Sequence, residues 1–150
     1  MPWLHSTRWA GITGPLDPTM AFKSKSAYLR TTFPAAQIAA MYRQLNRTDY
    51  TYPLALFLLT GYGGAVNDVP SDATAVPQRD SVFKLQAAAV WNHGDDETAH
   101  GQWVREAYRD IHAATGGVPV LDDVNDGIYI NYKGSNALNA TRPPPRSRRE

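Results

Sequence analysis

The most constraining stretch of the chain is Pro53-Leu-Ala-Leu-Phe-Leu-Leu-Thr60, which runs directly into Gly61-Tyr62-Gly63-Gly64. An uncharged apolar run this short, bounded by Pro and Gly, fits a fully buried strand. The glycines around Tyr62 require the backbone to turn sharply or to pass close to something. A chain built around such a strand needs further strands beside it and helices to cover a face.

Those elements can be read on either side. Phe22 to Arg30 has the mixed pattern of a strand. Thr32-Phe33-Pro34 opens a helix over 34–46, with Thr32 or Phe33 as the cap and Pro34 in the first turn, where its missing N–H costs nothing. Ala35, Ile38, Ala39, Tyr42 and Leu45 fall on one stripe at helical spacing, which predicts the buried face. Arg43 and Arg47 complement the helix dipole. Pro70 to Pro77 is a loop. Ser81 to Trp91 reads as a strand: Leu85-Gln-Ala-Ala-Ala would also suit a helix, but Val82, Phe83, Val90 and Trp91 favour extension.

Asp95-Asp96-Glu97 starts a helix over 95–115, with three acids where the helix N-terminus favours negative charge. Its apolar face is Ala99, Trp103, Val104, Ala107, Tyr108 and Ile111, and Gly116 ends it. Asp126-Gly127 is a turn signal, and Ile128-Tyr129-Ile130-Asn131-Tyr132 alternates as a half-buried strand. An amide and two phenols crowd its last four residues. Strands and helices do not alternate as a doubly wound sheet requires. The expected fold is therefore α+β, an antiparallel sheet with helices packed on one face.

Composition limits the chemistry. The 150 residues suit one domain, and a formal net charge of +1 gives no sign of nucleic acid or of an acidic partner. The absence of Cys removes disulfides, thiolate metal sites and a Cys nucleophile. No apolar run approaches a membrane span, and no signal peptide is visible, so a cytoplasmic location is the default. His5, His93, His100 and His112 read as surface residues, and no carboxylate pair completes a metal set. The glycines of 61–64 lack the Gly-Lys-Ser/Thr of a phosphate loop. Residues 133–150, rich in Pro and Arg, read as a disordered tail.

Four motifs occur in order: Lys25-Ser26-Ala27-Tyr28, Tyr62-Gly63-Gly64-Ala65-Val66, Ala73-Thr74-Ala75-Val76-Pro77-Gln78-Arg79 and Tyr129-Ile130-Asn131-Tyr132. Together they resemble the C-terminal half of the berberine bridge enzyme-like FAD-linked oxidases over roughly residues 22–132. That family has a Lys-Ser-x-Tyr strand, a Tyr-Gly-Gly turn, an Ala-Thr-Ala-Phe-x-His-Arg run, a Trp-rich helix and a closing Tyr-x-Asn-Tyr strand. Gln78 stands where the family commonly has His. The family's upstream flavin-binding domain, with its glycine-rich pyrophosphate loop, has no counterpart in this sequence.

The resemblance implies that residues 1–132 are a partial substrate-binding domain, a fragment of an FAD-dependent oxidoreductase that oxidises a hydroxyl group of a sugar, glycoside or secondary metabolite. It implies FAD as cofactor, held mainly by a flavin-binding domain that this chain would need for activity. Tyr132 matches the tyrosine base, Asn131 an orienting amide, and Tyr62 a second candidate for proton transfer. Lys25 and Arg79 are candidate charges that could stabilise a phenolate. A non-catalytic remnant of that ancestry, or an unrelated small-molecule or carbohydrate-binding module, are the alternative readings.

Overall fold

The structure is a computed structural model and describes residues 20–129. Strand β1 spans Met20–Leu29, helix α1 Ala35–Leu45, β2 Ala55–Gly61, β3 Phe83–Asn92 and helix α2 Glu97–Ile111. The strands form one sheet in the order β1-β3-β2, and both pairings are antiparallel. Segment 124–127 lies along the other edge of β1: Tyr28 N–H donates to Gly127 O at 2.8 Å, and Asp126 N–H to Tyr28 O at 2.9 Å. The strand expected over 127–132 is not formed in its described part: residues 127–129 are irregular, the segment pairs with β1 only at the isolated bridge Leu29–Asn125, and the residues from Ile130 lie outside the described ones. So do residues 133–150, read from the sequence as a tail.

Register divides the sheet into two faces. Ala27 pairs with Leu85, and Phe57 with Ala87, so the odd-numbered residues of all three strands share one face. Both helices cover it. Ala27, Leu29 and Leu85 meet Ala40 of α1 and Ile111 of α2, while Ala89 and Trp91 meet Trp103, Val104 and Ala107 of α2. The arrangement is α+β with an antiparallel sheet and helices on one face, as the residue pattern predicts.

Helix α2 starts as its acids suggest. Asp96 is the N-cap, its carboxylate accepting from Thr98 N–H at 3.1 Å and Ala99 N–H at 3.2 Å. The helix ends at Ile111, and a short 3-10 turn, Ala113–Thr115, precedes Gly116 in the left-handed region at φ 78°. Tyr108 O–H donates to Ser26 O at 2.8 Å, fixing α2 to β1.

Three further expectations are corrected. The first concerns the α1 cap: Pro34 itself is the N-cap, its carbonyl accepting from Gln37 N–H and Ile38 N–H, and no side chain caps the helix. Second, α1 turns inward the stripe of buried Gln37 and Ala40 and half-buried Met41 and Gln44, not the more apolar one. Ile38, Tyr42 and Leu45 are 54%, 69% and 53% exposed. The two stripes are one residue apart, and tethers choose between them. Gln44 Nε2 donates to Asp110 of α2, and its carbonyl accepts from Trp103 Nε1 at 3.4 Å. Third, β2 is not fully buried, because it is an edge strand of the described sheet, and Leu59 is 56% exposed.

Candidate functional site

The face away from the helices carries the even-numbered residues. Tyr28, Lys84 and Thr60 form one cross-strand row, and Ser26, Gln86 and Leu58 the next. Loops at the β2–β3 end complete the surface. Tyr62 follows β2 directly, and its N–H donates to Val82 O at 2.9 Å. Its ring stands edge-on to Tyr28 with centroids 5.0 Å apart, and its hydroxyl donates to Gln78 O at 3.2 Å. Gly63 makes this turn possible at φ 110°. A Cβ there would sit 3.0 Å from both Asn67 Nδ2 and Ser81 O.

Gln78 links that loop to the 126–129 segment. Its side chain is buried, and Nε2 donates to Ile128 O at 3.4 Å. Asp126 is buried beside it in a separate clamp. Ser81 Oγ donates to one carboxylate oxygen at 2.9 Å, and Arg30 to the other at 2.6 Å. The segment then delivers Tyr129 over the even face, with its N–H donating to Ser26 Oγ at 3.1 Å. Lys84 Nζ lies 5.4 Å from the Tyr129 ring centroid. The result is a polar, aromatic surface of Tyr62, Lys84, Gln86 and Tyr129, built on strands and pinned by a half-buried ion pair.

Arg79 adjoins this surface through its loop, where its guanidinium donates to Thr74 Oγ1 and, at 3.5 Å, to Gln78 O. Lys25 does not join it. As an odd-numbered residue it points beneath α2, with Nζ 4.9 Å from the Tyr108 ring centroid. Burial lowers its pKa, and the neighbouring charges of Lys23 and Arg105 add to that. Asn131 and Tyr132 lie outside the described residues.

Sequence reasoning missed Lys84 and Gln86. The available signal was period two within Phe83-Lys84-Leu85-Gln86, which places both polar side chains on one face of a strand. It also read the histidines as surface residues, whereas His100 and His112 are 6% and 1% exposed. His100 is enclosed by rings. Trp91 stacks on it at 5.2 Å, the Tyr52 centroid is 4.2 Å away, and Tyr50 Oη lies 2.7 Å from Nδ1. His112 makes an edge contact with Tyr108, and burial lowers its pKa to about 4. Neither of its ring nitrogens has a hydrogen-bond partner among the described residues. No group of three His, Cys, Asp or Glu among the described residues could hold a metal ion. No helix among them is long and apolar enough to cross a membrane.

A cleft of about 330 Å³ is lined by Phe22, Lys23, Trp91 and, on α2, Glu97, Thr98, Gly101 and Arg105. It includes none of the residues around Tyr62.

No family model matches the sequence. The chain is 46% identical over 132 residues to the aclacinomycin-N/aclacinomycin-A oxidase of Streptomyces galilaeus, covering 87% of this chain and 23% of that protein. It is 32% identical to the hexose oxidase of Chondrus crispus, over 77% of this chain and 23% of that one. The berberine bridge enzyme-like protein 18 of Arabidopsis thaliana is 25% identical, over 90% of this chain and 28% of its own length. Among solved structures, CrmK, a flavoenzyme of caerulomycin biosynthesis, superposes with a TM-score of 0.80 at 44% identity, over 89% of this chain and 27% of CrmK. The chain therefore spans about a quarter of the length of the proteins it matches.

Proposed function

The chain belongs with the berberine bridge enzyme-like FAD-linked oxidases, matching part of their substrate domain, and on that premise we propose that it forms the substrate-facing wall of such an oxidase. The reaction proposed is oxidation of a hydroxyl-bearing carbon in a sugar, glycoside or secondary metabolite. The relatives' names, an aclacinomycin oxidase and a hexose oxidase, support that substrate range. The observation that carries the reading is the even-numbered face, where Lys84 lies beside Tyr129 and within a strand's reach of Tyr62.

An alcohol gives up hydride readily only as its O–H proton leaves, so the site needs a base. Tyr132 is that base in this reading, and Asn131 orients the substrate oxygen. A phenol with an ordinary pKa of about 10 needs a nearby positive charge to serve near neutral pH. Lys84 is the lysine on the face that carries Tyr62 and Tyr129, whereas Lys25 lies on the helix-bearing face. Arg79 and Tyr62 contact the substrate from the loop side, and Tyr62 is the second candidate for the proton.

FAD, when bound, supplies the acceptor for the hydride. The rings of Tyr62 and Tyr129 suit a flat partner against this face. At Gly63 the position a Cβ would fill is closed by Asn67 and Ser81. Holding the dinucleotide falls to a separate flavin-binding domain.

The test is anaerobic flavin reduction by a hydroxyl substrate in the complete, flavin-loaded enzyme, in which this chain is joined to a flavin-binding domain. Tyr132→Phe keeps the ring and loses the ionisable oxygen, so reduction should slow by about 10²–10⁴-fold, the usual contribution of a general base. Tyr129→Phe should cost far less. If Tyr132→Phe reduces flavin as fast as the parent, Tyr132 is not the base and Tyr62 inherits the role. A loaded protein that no hydroxyl substrate reduces would instead be a non-catalytic remnant.

A further inference from the structure

We propose that the cleft between β1 and α2 binds a phosphate group, free or carried on a small organic ester, through Lys23, Arg105 and Thr98. The proposal rests on neither the family assignment nor the tyrosine chemistry, since this cleft shares no residue with the surface around Tyr62. Thr98, Gly101, Arg105 and Tyr108 occupy positions i, i+3, i+7 and i+10 of α2, so they form one stripe. Lys23 and Lys25, odd-numbered residues of β1, share the face of the sheet that the helix covers. Lys23 is half-buried and lines the cleft with Arg105 and Thr98. Lys25, two residues on, is buried with Nζ 4.9 Å from the Tyr108 ring centroid.

Three cations therefore gather in one place, close enough that the charges of Lys23 and Arg105 both act on Lys25. Among the described residues the ion pairs are those of Arg30 with Asp80 and Asp126, and of Arg47 with Asp49 and Glu106. None of these takes in Lys23, Lys25 or Arg105. Glu97, the one carboxylate in the lining, is about 12 Å from Arg105 along the helix axis. Like charges repel, and a buried cation without a counter-charge is unfavourable. An anion in the cleft would relieve both.

Gly101 supplies the second observation. Glycine inside a helix is destabilising relative to alanine, and this one is buried within α2. A Cβ there would sit 3.3 Å from Arg105 Nη1, so the guanidinium lies back across the helix at the bare position, where it lines the cleft. A planar guanidinium, an ammonium and a hydroxyl can donate together to a tetrahedral oxyanion. The cleft, at about 330 Å³, is larger than a bare phosphate, and exposed Phe22 and the Trp91 ring offer an apolar wall to an ester group.

The test is isothermal titration of the full chain with inorganic phosphate and with phenyl phosphate, at constant ionic strength. Saturable binding with a dissociation constant below about 1 mM is expected for at least one probe. Arg105→Gln and Lys23→Gln should each weaken it at least about tenfold, with the circular dichroism of the chain unchanged. Arg109→Gln removes the same charge from an exposed position of the same helix outside the cleft, and should leave the affinity unchanged. Tighter binding of phenyl phosphate identifies an ester as the ligand, and equal affinities identify the free ion. Absence of saturable binding for both probes overturns the proposal, as does binding that Arg105→Gln leaves intact. So does an equal loss in Arg105→Gln and Arg109→Gln, since the response is then to net charge and not to a site. The titration needs neither flavin nor turnover, so a failure of the oxidase chemistry would leave this result untouched.

Discussion

His112 carries the clearest single-residue consequence of burial. Its pKa is lowered from the ordinary 6.5 to about 4, chiefly because burial disfavours the charged ring. Lys25 works in the same direction, and the Asp122 carboxylate opposes both. Between those two values the unfolded chain binds a proton that the folded chain refuses. Stability from this group is complete above the ordinary value, falls as the pH drops, and levels off below about 4. The separation corresponds to a loss of about 3 kcal/mol. Replacing His112 with Leu should remove that slope. The measurement is thermal unfolding of parent and variant across the acid range, read as the difference, because carboxylates titrate there too. A variant with the parent's pH profile would contradict it. The sequence held no hint of this burial, since a lone His between Ile111 and Ala113 reads the same on a surface as in a core.

At the scale of elements, the two helices show what a pattern can and cannot specify. For α2 the apolar stripe and the buried stripe coincide: Trp103, Val104, Ala107, Tyr108 and Ile111 were read as the core face and are buried. Its start was equally legible, since Asp96 needs only its own next turn to cap. For α1 the stripes differ by one residue, because tethers from Gln44 to α2 override the greater apolarity of Ile38, Tyr42 and Leu45. Such contacts are between residues far apart in sequence, and no local pattern encodes them. The same holds for β2, whose burial depends on what lies beside it. A pair of variants separates the two stripes in the chain alone. Ala40→Leu forces bulk into a site that is 1% exposed and should destabilise by about 1–3 kcal/mol. Ile38→Ala, on the exposed stripe, should change stability by no more than about 0.5 kcal/mol. Denaturant midpoints measure both, and the reverse ranking would mean that α1 packs on its other side.

For the whole molecule, the order of motifs along the chain was more informative than any one of them. Tyr62 with its glycines, Gln78-Arg79 and Tyr129 are separated in sequence, and the structure brings them to one end of the sheet. Lys25 belonged to the same set of motifs yet lies on the other face, because a motif records a strand without saying which of its residues looks where. The chain should bind free FAD only weakly, because a dinucleotide needs backbone donors at a glycine-rich turn or helix N-terminus for its pyrophosphate. Titration followed by flavin fluorescence checks this, and a nanomolar dissociation constant would refute it.

The sheet's two faces also set how this protein can change. Within Phe83–Asn92, Leu85, Ala87, Ala89 and Trp91 lie on the helix-bearing face, while Lys84 and Gln86 lie on the other. Alternate letters of one strand are therefore under separate obligations. A library that randomises only Thr60, Lys84 and Gln86 would vary the chemistry of the even-numbered face while leaving the helix-bearing face in place. The chemistry of one face can thus be changed without touching the packing of the other.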